Sequence, residues 1–227
     1  MKSILFDLDD TILDFCSAEK EALSKTLLHL GIQPEKRIIK RYSEINLAQW
    51  KLLELGKLTQ EEVKVRRYRL LFDEIGAVCC PNYATGYYEK LLARGHYFVD
   101  GAQLLLKTLS CDYPLYLVSN GSSDVQKSRI KSADISKYLS GIFISEEIGF
   151  EKPDIRFFDY CFSKIPNFIK GETLIVGDSL SSDIKGGKNA GITTVWFNPS
   201  DLSNLTDIIP DYEIKKLLDL LSLLKTI

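Results

Sequence analysis

Apolar and polar positions divide the chain into two textures. Residues 3–6 (SILF) form a short apolar run that ends in acids, the pattern of a buried strand whose end meets solvent. From Phe15 to Tyr97 no run reads as a strand. There Leu23, Leu27 and Leu30 recur at helical spacing, as do Leu47, Trp50 and Leu53 or Glu54. Thr59 followed by Glu61 and Glu62 predicts an N-cap and an acidic first turn. Tyr87, Leu91 and Leu92 mark one more helix.

After Tyr97 strands and helices alternate. The pattern predicts strands over 114–118, 141–145, 173–176 and 192–197, and helices over 102–109, 122–133, 153–163, 182–190 and 214–224. Pro153 is placed at the first position of its helix, and Gly191 as a C-cap. Short apolar strands separated by helices imply a parallel sheet covered on both faces. The expected fold is therefore an α/β core over residues 1–14 plus 98–227, with an α-helical cap over 15–97 inserted after the first strand.

Composition narrows the functional classes. The 227 residues are 45% apolar, enough for a sizeable core. Lys and Arg number 29 against 31 acids, a net charge of -2, so no basic excess exists to hold a nucleic-acid backbone. No apolar run approaches the length of a membrane span, and MKSILFDLDDTILD meets acids too early for a secretory signal. The five cysteines are odd in number and scattered, as in a reducing cytoplasm. With only His29 and His96, a multi-histidine metal site cannot be built.

Ligands of an open parallel sheet bind at the carboxyl ends of its strands. The first strand is followed by Asp7, Asp9 and Asp10, the next by Ser119, Asn120 and Gly121. The third leads to Glu146, Glu147 and then Lys152, the fourth to Asp178, Ser179, Ser182 and Asp183. Clustered carboxylates raise one another's pKa unless a cation joins them, and an all-oxygen donor set selects a hard ion such as Mg²⁺. Strand alternation aims Asp7 and Asp9 in one direction, with Leu8 pointing the other way into the core. A carboxylate attacks a phosphoryl group that a metal ion holds, so Asp7 is the candidate nucleophile. Asp9 is then the acid that protonates the leaving oxygen and the base that activates water. Ser119 and Asn120 would hold phosphoryl oxygens, and Lys152 would neutralise charge on them and on Asp7. Asp178 would bind the metal directly and Asp183 would order its shell. Thr11 is expected to brace the loop after Asp7 through its hydroxyl, and Ser179 and Ser182 to cap the following helix.

These residues resemble the signature of the haloacid dehalogenase superfamily. DLDDT at Asp7–Thr11 is similar to the family's DxDxT motif, and SNG at Ser119–Gly121 to its second motif. Lys152 with Pro153 resembles the third, and GDSLSSD at Gly177–Asp183 the fourth. The four occur in order over nearly the whole chain. The resemblance implies a Rossmann-like parallel sheet with an inserted helical cap and a phosphoaspartate mechanism with Mg²⁺. It implies Asp7 as nucleophile and metal ligand, Asp9 as acid/base and as a ligand through its backbone carbonyl, and Asp178 and Asp183 as the acids of the metal site. Asp9 places the chain with phosphomonoesterases and mutases rather than with members that cleave carbon–halogen bonds.

The cap segment INLAQWKLLELGKLTQEEVKVRRYRLLF resembles that of pyrimidine 5′-nucleotidases within the superfamily. So do VSNGSSDVQKSRI, ISEEIGFEKPDIRFFDY and VGDSLSSDIKGGKNAGITTVWFN. That resemblance implies a small phosphorylated metabolite, a nucleoside 5′-monophosphate, as substrate, and neither nucleic acid nor membrane as partner. The expected state is a monomer or small homo-oligomer in the cytoplasm. Asn46 and Trp50, four residues apart on one helix face, are the cap's candidate substrate contacts. Arg66 and Arg67 are weaker ones. The alternatives are a phosphatase for another metabolite such as a sugar phosphate, and an inactive binding module on the same scaffold.

Overall fold

Three consecutive apolar residues, Ile4, Leu5 and Phe6, have no polar face to offer water, and with Ser3 they form the strand at the middle of the sheet. In the computed structural model, which describes all of residues 1–227, the strands are β1 (Ser3–Phe6), β2 (Leu115–Ser119), β3 (Gly141–Ile144), β4 (Thr173–Gly177), β5 (Thr193–Phe197) and β6 (Tyr212–Ile214). They make one parallel sheet in the order β3-β2-β1-β4-β5-β6. The helices are α1 (Phe15–His29), α2 (Lys36–Glu54), α3 (Gln60–Ile75), α4 (Pro81–Leu92), α5 (Ala102–Leu109), α6 (Ser123–Ser132), α7 (Ser145–Ile148), α8 (Ile155–Lys164), α9 (Lys185–Ala190) and α10 (Asp219–Leu223).

The chain forms two compact units, Met1–Asp14 with His96–Ile227, and Phe15–Gly95. In the first, side-chain alternation along the strands sorts the apolar residues into two layers. Ile4 and Phe6 join Leu117, Val176 and Leu105 on one face of the sheet, while Leu5 joins Val118, Ile175 and Phe158 on the other. Chain order reverses beside β1: β2 and β3 are laid down on one side of it, β4 to β6 on the other. The crevice above such a reversal is where an open parallel sheet binds its ligands.

The second unit is the four helices α1 to α4. Its α3 opens with Thr59, whose side chain accepts from the Glu62 N–H while the Glu62 carboxylate accepts from the Thr59 N–H, a reciprocal capping box. It closes on Gly76 at φ 68°, the left-handed conformation that favours glycine. The interior is unusually polar: Glu19, Asn46, Gln49 and Arg67 are buried beside Tyr42, Tyr68 and Tyr88.

Three details depart from the sequence reading. The helix predicted over 153–163 begins at Ile155, because Asp154 takes the N-cap and accepts from the Arg156 N–H, leaving Pro153 before the helix. The helix predicted over 182–190 is a wider turn over Leu180–Ile184 that runs into α9, with Ser179 capping it through the Ser182 N–H. Gly191 ends it at φ 69°, as a C-cap. The closing helix predicted over 214–224 is shortened to Asp219–Leu223, since Tyr212–Ile214 pairs with β5 as a sixth strand. Three residues at a sheet edge carry too little periodicity to announce themselves.

Candidate active site

The loops after β1, β2 and β4 bring the predicted acids together. Asp7 follows the last residue of β1, and its N–H donates to the Val176 carbonyl of β4 at 2.9 Å. Carboxylate oxygens of Asp7, Asp178 and Asp183 lie within 4.8 Å of one another. Asp7 and Asp183 are buried, whereas Asp178 reaches solvent. Lys152, itself only 1% exposed, donates from Nζ to Asp7 Oδ1 at 2.6 Å, to Asp183 Oδ1 at 2.8 Å and to the Val118 carbonyl at 2.7 Å. All three ammonium protons therefore have acceptors, and the lysine has one orientation.

The charges do not balance within the protein. Burial pushes the Asp7 carboxyl up to about 8, Lys152 pulling against it and Asp183 and Asp9 adding to the rise. Burial likewise raises Asp178 well above the usual carboxylate range, with Asp7, Asp183 and Asp10 adding to it. For Lys152, burial works against the charge, but Asp183 and Asp7 outweigh it and hold the ammonium above its ordinary value. Three carboxylates against one ammonium leave two negative charges, which one Mg²⁺ would neutralise. The donor set is all oxygen, as that ion requires. The Asp7, Asp178 and Asp183 cluster fits a Mg²⁺ site.

Local sequence explains the placement. Gly177 ends β4, and a Cβ there would stand 2.3 Å from the Asp183 carboxyl carbon. The glycine of GDSLSSD thus leaves room for Asp183 to fold back over the strand end, where its Oδ2 accepts from the Ser179 N–H at 3.1 Å. Trp196 on β5 donates to the Asp178 carbonyl at 2.8 Å and fixes the backbone of that acid. Asn120 pairs with the main chain of Lys152 at both ends: its Nδ2 donates to the Lys152 carbonyl at 2.8 Å and its Oδ1 accepts the Lys152 N–H at 2.9 Å. This side chain places the lysine loop.

Asp9 is elsewhere. Strand β1 stops at Phe6, Asp9 forms an isolated bridge with Leu13, and Asp10 turns through φ 55°. Strand alternation therefore does not relate Asp7 to Asp9, although Leu8 between them is fully buried. Asp9 Oδ2 accepts from Gln126 Nε2 at 2.6 Å, and Oδ1 is paired with Arg129. Gln126 also donates to Ser119 Oγ at 2.9 Å. Neither Gln126 nor Arg129 was among the sequence candidates. The sequence signal is only two polar residues three apart on a helix that starts at a strand's carboxyl end; their burial comes from the structure. Glu146 and Glu147 stand behind α6 instead of joining the acids: Glu146 accepts from the Ser123 N–H at 2.6 Å and Glu147 from the Ser123 hydroxyl at 2.7 Å. The Thr11 hydroxyl is buried without a hydrogen-bond partner, so Thr11 does not brace the loop in the manner its hydroxyl suggested.

Within the four-helix unit, Asn46 is a hub. Its Nδ2 donates to Glu19 at 2.8 Å, and its Oδ1 accepts from Arg67 at 3.0 Å and from Trp50 Nε1 at 3.1 Å. Arg67 is buried, its guanidinium carbon 4.8 Å from the Tyr88 ring centre and within 5.9 Å of those of Tyr42 and Tyr68. A solvated helix-face arginine, the ordinary expectation, is not what stands there. Arg66, with Glu62 and Arg69, borders a surface depression on α3.

Comparison with known proteins follows the same lines. Residues 4–197 match the family of haloacid dehalogenase-like hydrolases. The HAD-hydrolase YfnB of Bacillus subtilis is 40% identical over 223 residues, covering 98% of this chain and 95% of that protein. The pyrimidine 5′-nucleotidase PynA of Streptococcus pneumoniae is 38% identical over 224 residues, covering 98% of this chain and 94% of its own. A crystal structure of YfnB bound to magnesium superposes with a TM-score of 0.94 over 98% of both chains, at 40% identity.

Proposed function

The chain belongs to the haloacid dehalogenase-like hydrolases, and from that premise we propose that it is a 5′-nucleotidase acting on pyrimidine nucleoside 5′-monophosphates. The chain is a Mg²⁺-dependent hydrolase of the phosphatase type, with phosphoaspartate chemistry. The observation that carries the mechanism is the Asp7 carboxylate, held by Lys152 at 2.6 Å inside the acid cluster.

The carboxylates of Asp7, Asp178 and Asp183 and the Asp9 backbone carbonyl would hold Mg²⁺, which would supply positive charge against the phosphoryl oxygens. The rest is the work of side chains. An Asp7 oxygen forms a bond to phosphorus as the bond from phosphorus to the ester oxygen breaks. That bond's electron pair goes to the leaving oxygen, which takes the Asp9 carboxyl proton. The Asp9 carboxylate then removes a proton from water as the water oxygen bonds to phosphorus. The bond from phosphorus to Asp7 breaks and returns its electrons to the carboxylate. Lys152 stabilises the charge on Asp7 and the transferring group, and Ser119 donates to a phosphoryl oxygen. Ser119 Oγ already accepts from the Gly121 N–H at 3.1 Å and from Gln126 at 2.9 Å, so its own hydrogen is what it has to offer.

The substrate half rests on the 38% identity to a pyrimidine 5′-nucleotidase over nearly the whole of both chains. In the helical unit, which we assign as the cap, Trp50 is the half-buried aromatic that Asn46 fixes through its ring nitrogen, and it is the residue to stack on a base. A panel of phosphate esters tests the assignment. Release of phosphate from UMP, dUMP and TMP is expected to exceed release from hexose phosphates in kcat/KM. Equal or faster hydrolysis of the hexose phosphates overturns the nucleotidase reading and favours a sugar phosphatase.

A further inference from the structure

The mechanism above uses Asp9 twice, as acid and then as base, and so needs its carboxylate held in one place. Asp9 lies beyond the end of β1, in a turn closed by backbone bonds from Asp10 N–H to Leu13 and from Leu13 N–H to Leu8, none of which holds the Asp9 carboxylate. What fixes its carboxylate comes from α6. Gln126 and Arg129 are 1% and 0% exposed, so neither reaches solvent. Each touches Asp9, and they touch each other, Arg129 Nη1 donating to Gln126 Oε1 at 2.9 Å. The three side chains close a ring of hydrogen bonds.

The ring fixes the amide of Gln126. Its oxygen must face Arg129, so both its N–H hydrogens point the other way, one to Asp9 Oδ2 and one to Ser119 Oγ. A single amide group therefore grips the proposed acid/base and the proposed phosphate ligand together. Gly121 belongs to the same arrangement: a Cβ there would stand 2.3 Å from Gln126 Nε2. The glycine of SNG keeps open the space that the amide fills.

We infer that Gln126 and Arg129 are positioning residues that lock the Asp9 carboxylate and the Ser119 hydroxyl into one hydrogen-bonded unit, so that the grip on phosphate and the proton transfer to the leaving oxygen are set together. The inference rests on the phosphatase reading, and it adds two residues and a reason for a glycine.

Leaving-group dependence separates positioning from plain structure. An alkoxide cannot depart without a proton, whereas p-nitrophenolate can. Because kcat/KM reports steps through the first irreversible one, it senses whether Asp9 delivers its proton. For Arg129→Met, which loses the contact to Asp9 but none to Ser119, kcat/KM with ethyl phosphate is expected to fall ~100-fold while that with p-nitrophenyl phosphate stays within ~3-fold of the unaltered enzyme; for Gln126→Leu, which also frees the Ser119 hydroxyl, both fall, ethyl phosphate ~10-fold further than p-nitrophenyl phosphate. Because Asp9 also serves as base in the second step, the variants are expected to show a burst of p-nitrophenolate stoichiometric with enzyme. Arg129→Lys is expected to recover most of the ethyl phosphate activity. Should the buried substitutions prevent folding, Gly121→Ala, which crowds the Gln126 amide, is expected to give the same selective loss. Equal losses on both esters, or no loss on either, overturn the inference. If the unaltered enzyme with Mg²⁺ hydrolyses neither ester, it is the phosphatase reading that fails instead.

Discussion

Asp7 is a costly residue to bury without a cation, and that cost is measurable. Its carboxyl is shifted from 3.8 to about 8, chiefly by burial. A raised folded-state value means that the stability tied to this group is complete below about pH 4 and is lost as pH rises towards about 8. In buffer containing a chelator, the unfolding free energy of the natural protein is therefore expected to fall relative to that of Asp7→Asn across this window. Urea denaturation at a series of pH values measures the difference, and parallel curves would contradict the account. Asp7→Asn itself should fold and lose turnover, since the site does not hold the apolar layers together. At this scale the motif residues were legible: DLDDT, Lys152 and GDSLSSD supply acids and a lysine that the fold gathers. The residues that hold them were not. The pairing of Asn120 with the Lys152 backbone needed the structure, and Gln126 and Arg129 lie in a helix whose polar residues look solvated until the sheet is in place.

Elements place these side chains, and their ends carry much of the specification. The capping box of α3 satisfies two backbone donors at Thr59 and Glu62 that would otherwise lack partners. Thr59→Ala is expected to destabilise the helical unit by about 1 kcal/mol without altering Mg²⁺ dependence. Thermal unfolding and a Mg²⁺ titration of activity check the two halves of that statement, and an altered Mg²⁺ requirement would contradict it. This cap was legible from Thr59, Glu61 and Glu62, because the signal is local. The sixth strand was not, because Tyr212–Ile214 is defined by pairing with β5 rather than by its own pattern. The start of α8 was misplaced for a related reason: Pro153 and Asp154 both suit a helix start, and the capping bond at Arg156 decides between them. Glycines act at this scale through space as well as conformation, Gly177 for Asp183 and Gly121 for Gln126.

Across the whole molecule, the alternation of strands and helices after Tyr97 sufficed for a parallel α/β sheet. The strand order β3-β2-β1-β4-β5-β6, with its reversal beside β1, required the structure. That reversal explains why acids from the ends of β1 and β4, some 170 residues apart in sequence, meet around one cation. No helix of the chain is long and apolar enough to cross a membrane. The buried polar interior of the helical unit was the least legible part, since Asn46, Arg67 and three tyrosines look like surface residues until four helices close around them. The central claim is that Asp7 carries the phosphoryl group. Acid quenching during turnover of UMP with Mg²⁺, followed by peptide mass analysis, tests it most directly. The account predicts a phosphate on the peptide containing Asp7, absent when Mg²⁺ is chelated and absent in Asp7→Asn. Sustained turnover by Asp7→Asn, or phosphate carried on any other residue, would contradict it.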